Sequence, residues 1–383
     1  MSMLLLLFLL APQRQSIDEA WDLLAKGDRI RAAQVLDRIL QANPRDPDAH
    51  LMLGSLLAED GRIPEALPHL EEAVRLRPRS AQAHQALGEV LRDSGNPEAS
   101  RSAFEKAVAL DPAFAQARID LGLALLTAGD SKSAAVHLDQ AIRLLGRKPD
   151  AAYPLYIRAK IHSQNSETSQ AAALLDKAVA VRPDFAEAWS DLGQARKTLQ
   201  NDSAALTAFQ RSVELDPANA ISQYRLGAEF LRQGDPHRAV EHLQQAFRLN
   251  PKDQSTLNSL QIALRQDGHI DEAKRIKEKL TEVLREIDRE SQAAFNALRL
   301  NNEGAALEKS GDLHSALSKY REALALDPTH NGIRVNFAIA ALRLGLWDEG
   351  ISHLQEALRR EPSNPQIKSA LTDALRQKPG QRP

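Results

Sequence analysis

The sequence has no cysteine, which excludes disulfides, thiolate nucleophiles and metal sites built on sulfur. Aromatic residues make up only 4% of it, so any core must be filled by alanine and leucine, as expected where helices approach closely. Neither sign of charge dominates: 49 Lys and Arg stand against 51 Asp and Glu, a formal net charge of −2. A general nucleic-acid binder carries a basic excess, and this balance argues against one. Local signatures of catalysis are missing too. There is no phosphate-cradling glycine loop, no His-Glu-x-x-His helix and no serine in a strand-to-helix elbow.

Long apolar runs are absent except for Leu4 to Leu10, which is too short to span a bilayer as a helix. It reads as an export signal or membrane anchor over residues 1–12, placing the protein in the periplasm, outside the cell or at a membrane. No Lys or Arg precedes the run, and no clean small-x-small cleavage site follows it. The alternative is a hydrophobic cap on a cytoplasmic protein.

What the chain has in quantity is repetition. Gly54, Gly61, Ala66, Ala73 and Pro78 return 34 residues later as Gly88, Gly95, Ser100, Ala107 and Pro112. A fixed period of this length describes stacked two-helix units. In the unit beginning at Pro47, His50, Leu53, Gly54 and Leu57 share one face of a first helix by their three- and four-residue spacing. Gly61 ends that helix, and Pro64 falls in the first turn of the second, where a missing N–H is harmless. Ala66, Leu70 and Ala73 form the second helix's inner stripe. The small residues predict a tight antiparallel pair.

These residues resemble the tetratricopeptide repeat family in register. The closing proline recurs at Pro44, Pro78, Pro112, Pro183, Pro217, Pro251, Pro328 and Pro362. Units start near Gln13, Pro47, Ala81, Ala115, Ala152, Ala186, Ala220, Gln254, Ala297 and Asn331. The resemblance implies an all-α, right-handed superhelical solenoid of about ten two-helix repeats. Eight repeats fill residues 13–287 and two more fill 297–364. A capping helix and tail over 365–383 place Ile367, Ala370, Leu371 and Leu375 on one side.

Departures from the pattern mark expected irregularities. The fourth unit has Gly146 in place of proline and three extra residues, Pro149 to Ala151. The fifth has Ala159 for the first-helix glycine and Ser166 for the turn glycine, and is expected to be the least regular. After the eighth unit, residues 288–296 are extra. Ile276, Leu280, Val283, Ile287, Ala294 and Leu298 suit one continuous helix through this insertion. Alternatively, Ser291 caps a fresh one.

Chemistry is expected to be absent: no catalytic residues, no metal site and no cofactor. His69, His137, His242 and His353 occupy one recurrent slot and read as packing residues. His237 and His242 lie five apart, which is the wrong spacing for two helical ligands. The function expected is a non-enzymatic scaffold that binds other proteins or peptides. The alternative is an exported or anchored assembly factor of an envelope or secretion complex. In the family, first helices line the concave groove, so the resemblance puts Tyr153, Tyr156, Lys160, Gln164, Ser190, Gln194, Lys197, Tyr224, Arg225 and Arg232 there. Packing between first helices is the competing reading of the same residues. Arg265, Lys309 and Arg343 would extend Arg232 into a basic ridge. The family's carboxylate clamp is not carried over, because Ala305 and Gly332 stand where asparagine would be needed.

Overall fold

A computed structural model describes residues 17–362 and 364–379; the apolar run at Leu4 to Leu10 lies outside them. The chain divides into two compact units, Met1–Pro217 and Ala218–Pro383. Among the described residues every regular element is helical.

The first unit stacks six helix pairs. These are α1 (17–25) with α2 (Arg29–Ala42), α3 (Pro47–Glu59) with α4 (Ile63–Leu76), and α5 (Ala81–Asp93) with α6 (Pro97–Leu110). They continue as α7 (Ala115–Thr127) with α8 (Ser131–Leu145), α9 (Ala152–Gln164) with α10 (Thr168–Val181), and α11 (Ala186–Thr198) with α12 (Asp202–Leu215). The second unit holds α13 (Ala220–Arg232), α14 (Pro236–Leu249), α15 (Gln254–Gln266), α16 (Ile270–Ser310), α17 (Leu313–Leu326), α18 (Asn331–Arg343), α19 (Trp347–Arg360) and α20 (Pro365–Gln377).

Local chemistry sets the helix ends. Side-chain oxygens of Asp46, Ser80, Asn96, Asp130 and Asp312 accept from free N–H groups of the first turn. The turn after each first helix needs a left-handed residue, usually glycine, as at Gly129 (φ +83°). Ser166 (φ 61°) and Gln200 (φ 60°) fill that position in the fifth and sixth repeats. The fifth repeat is nevertheless regular, with helices of 13 and 14 residues. Ala159 is fully buried where glycine stands elsewhere, and Ser166 keeps the turn geometry. The extra residues Pro149–Ala151 form one 3-10 turn.

Helix pairing rests on a small residue facing a large one sixteen positions later. A Cβ on Gly54 would stand 2.7 Å from Leu70, on Gly88 2.5 Å from Phe104, on Gly193 2.5 Å from Phe209 and on Gly227 2.7 Å from Leu243. Those large side chains are almost wholly buried. Within each unit, first helices also touch the next first helix: α3 with α5, α5 with α7, α13 with α15 and α16 with α18. The first-helix face is therefore the inner face of each stack.

A second bond links one repeat to its predecessor. His50 Nε2 lies 3.1 Å from the Pro44 carbonyl oxygen, His84 Nε2 3.0 Å from that of Pro78, Arg118 Nε 2.7 Å from that of Pro112 and Trp189 Nε1 2.9 Å from that of Pro183. Arg334 makes the same bond to Pro328. Three side-chain types, histidine, arginine and tryptophan, thus satisfy one carbonyl at the end of the previous repeat.

The insertion is one helix. α16 runs 41 residues without a break, about 60 Å at 1.5 Å per residue. Its first part buries Ala273, Ile276 and Val283, and its last part buries Ala297, Leu300 and Gly304. At the C-terminus, Ile367 and Ala374 are the buried positions of α20, with Ala370 and Leu371 packed beside them. Leu375 is 40% exposed, a correction to its expected place on the packed side.

The glycine contact gives a direct test. Gly193→Ala puts a methyl group against the Phe209 ring and should destabilise the protein by about 1–3 kcal/mol in urea unfolding. Gln194→Ala, at the adjacent exposed position, should stay within about 0.5 kcal/mol of wild type.

Candidate functional site

The inner face of the first unit carries a cavity of about 520 Å³ lined by Tyr153, Tyr156, Arg182, Asp184, Phe185 and Glu187. The repeat builds it. Tyr153 and Tyr156 project from the start of α9, and the turn from α10 to α11 supplies Arg182, Asp184 and Phe185. Phe185 occupies the slot before a first helix where Asp46, Ser80 and Asn219 act as caps elsewhere. It makes no side-chain cap bond and is 9% exposed.

The rings are organised. Tyr156 and Phe185 have centroids 5.0 Å apart at 55°. The Arg182 guanidinium sits 3.7 Å from the Phe185 centroid, and its Nε is buried with no hydrogen-bond partner. Lys160 Nζ lies 5.5 Å from the Tyr156 ring centre. Tyr153 is 42% exposed, and the Asp184 and Glu187 side chains are exposed at the rim. The site therefore offers flat apolar surface, one guanidinium fork and two carboxylates, which suits the mixed side chains and backbone of a peptide.

An acidic patch lies on the same face two repeats earlier. Asp120 is buried and accepts from Gln85 Nε2 at 2.7 Å and Gln116 Nε2 at 3.0 Å. Burial pushes its carboxyl above the ordinary aspartate value. Glu89 is raised as well, by burial first and by Asp120 second.

The other expected groove residues are distributed. Lys160, Gln164 and Gln194 are exposed, and Lys197 is half-buried. Ser190 is 4% exposed and belongs to the packing between helices, which corrects its expected place in the groove. Tyr156 serves both readings, packing against the next repeat while lining the cavity. Tyr224 and Arg225 are half-buried in the second unit, where Arg232 bonds the buried Glu229 through Nε at 3.1 Å and a terminal nitrogen at 2.5 Å. Arg343 donates to Glu308 at 2.6 Å. The expected basic ridge is therefore partly neutralised by its own chain.

Sequence reasoning missed Arg182, Phe185 and Asp120. The available signal was an aromatic residue in a slot that capping oxygens fill elsewhere.

Among the described residues no group of three His, Asp or Glu side chains could hold an ion. His242 stacks on Phe230 with centroids 5.6 Å apart, and His353 packs on Phe337 at 4.5 Å. His69 Nδ1 lies 2.9 Å from His50 Nδ1. Because His50 Nε2 donates to the Pro44 carbonyl, His50 Nδ1 is the acceptor and His69 Nδ1 carries the hydrogen.

Family models described as "Tetratricopeptide repeat" match residues 17–83 and 86–155, 146–337, and 307–374. The anaphase-promoting complex subunit CDC16 of Saccharomyces cerevisiae is 22% identical over 61% of this chain and 28% of its own length. A peroxisomal targeting signal receptor of Kluyveromyces lactis is 24% identical over 50% of this chain and 39% of its own length. The chain thus spans well under half of either relative. A solved structure described as a functional characterization of Pseudomonas aeruginosa pilF aligns with a TM-score of 0.52 and 20% identity, covering 55% of this chain and 95% of that one. That likeness is one of fold.

The His50–His69 bond predicts a pH effect. The folded-state pKa of His69 is held below 6.5 by burial, then by His50. The unfolded chain therefore takes up the proton first. The pair's contribution is present above about pH 6.5 and is lost as pH falls from there toward the folded value. NMR titration should find His69 below 6.5, and His69→Phe should reduce the fall in urea midpoint between about pH 7.5 and 5.5.

Proposed function

Because the chain belongs to the tetratricopeptide repeat family, whose members generally act as protein-interaction scaffolds, we propose that it is a non-enzymatic scaffold whose first unit holds a peptide segment of another protein. The observation that carries this reading is the cavity of Tyr153, Tyr156, Phe185 and Arg182 on the inner face. An aromatic side chain of the partner would lie against the exposed Tyr153, with Phe185 backing the cavity floor. A partner carboxylate would take the Arg182 fork, and partner backbone N–H or basic groups would take Asp184 and Glu187. The name of the matched peroxisomal receptor describes recognition of a targeting signal, a task of the same kind.

Fluorescence anisotropy across a random peptide library tests this. Peptides selected on the wild-type chain should bind Tyr153→Ala and Arg182→Ala at least tenfold more weakly, a change of about 1.4 kcal/mol. Equal affinity for both variants would move the site out of the cavity.

A second reading, carried by the apolar run Leu4 to Leu10, is that the same scaffold is exported or anchored as an assembly factor of an envelope or secretion complex. Among the described residues no helix is long and apolar enough to cross a membrane. Fractionation of cells expressing the full chain, with and without residues 1–12, should show a membrane or exported fraction that depends on the run. A full-length chain found only in the cytosol would remove this reading.

A further inference from the structure

Helix α16 is packed at both ends and bare between them. Every residue from Ile287 to Gln292 is exposed. The bare stretch is not purely polar: Leu284, Ile287, Phe295 and Leu298 are 47%, 39%, 65% and 43% exposed. At 100° per residue the four fall within an arc about 80° wide, turned away from Leu300 and Gly304, with Ser291 inside it. Their spacing of three, four, four and three residues through Ser291 is that of a helix-pairing seam.

The stripe is symmetric about its midpoint. Leu284 and Leu298 stand seven residues to either side of Ser291, and Ile287 and Phe295 stand four to either side. This pattern suits a twofold axis, because in a contact between identical surfaces residue i meets j while j meets i, and an antiparallel pair crossing at Ser291 would then set apolar against apolar at every position. We infer that α16 is a self-docking surface on which a second copy of this chain lies antiparallel, with Ser291 at the crossing point.

Antiparallel packing sets Leu284 against Leu298 of the second copy and the large Phe295 against the smaller Ile287. Ser291, the smallest side chain of the seam, lets the two helices approach to about 9 Å. Charge favours the same orientation. Residues 282–290 carry Glu282, Glu286, Asp288 and Glu290 against Arg285 and Arg289, whereas 291–298 carry no charge. An antiparallel copy places each acid-rich segment beside an uncharged one, while a parallel copy would stack like on like. The four side chains of both copies expose on the order of 700 Å², and the polar border brings the contact to about 1,000 Å², the lower bound for a specific interface. A contact of this size belongs with weak, reversible association.

The absence of cysteine makes the test clean. Light scattering of the wild-type chain should show mass rising from monomer to dimer between about 1 and 100 μM, and Phe295→Glu should hold it monomeric. Ser291→Cys should form an interchain disulfide on mild oxidation, whereas Thr329→Cys, exposed elsewhere in the same unit, should not. Leu284→Cys mixed with Leu298→Cys should give a mixed disulfide, with neither giving one alone. These positions are exposed, so circular dichroism should match wild type. A wild-type monomer at about 100 μM, with Ser291→Cys no more reactive than the control, would overturn self-docking. Efficient crosslinking of Leu284→Cys to itself would overturn the antiparallel arrangement.

Discussion

The close approach of first and second helix in each repeat is the constraint on which everything else depends. The Leu70, Phe104, Phe209 and Leu243 side chains lie where a Cβ on the facing glycine would be. That contact lets a chain with 4% aromatic residues build a dry core. Few large side chains are needed when each is enclosed by backbone on one side and by alanine on the others. Ala66 and Ala73, both essentially without exposed surface, complete the enclosure around Leu70. Chains built this way derive stability from neighbour contacts, and much of the inner face is made by residues outside the repeating packing slots.

That separation explains what could be read from the sequence. Helix starts at Pro47, Ala81, Ala115, Ala152, Ala186, Ala220, Gln254 and Asn331 were legible because the packing slots repeat in phase. The regularity of the fifth repeat was not legible, because Ser166 adopts a left-handed backbone that its residue type does not announce. The same holds for Gln200. The cavity was half legible: Tyr153 and Tyr156 stood out as tyrosines on a first helix. Arg182 and Phe185 come from an inter-repeat turn, where no periodicity points to a side chain's neighbours. Buried Asp120 was hidden for a related reason, since its partners Gln85 and Gln116 lie on two different helices.

The inner face of the first unit is chemically graded. Repeats three and four hold a buried, amide-bound carboxylate at Asp120 with the half-buried Glu89 beside it, and repeats five and six present rings and a guanidinium. The bare stretch of α16 is a different kind of surface, apolar on one stripe only, and it belongs to the second unit. Recognition of a segment and pairing of copies would then use separate parts of the chain.

The bonds from His50, His84, Arg118 and Trp189 to the preceding proline carbonyls have a direction in time. Each acceptor lies at the end of one repeat and each donor near the start of the next. On a ribosome the acceptor emerges before its donor, at the end of its own helix pair. The incoming repeat would then find that carbonyl ready to accept from its own first helix. Within the first unit, synthesis and folding can therefore advance in the same direction, each completed repeat serving as template for the one still being made.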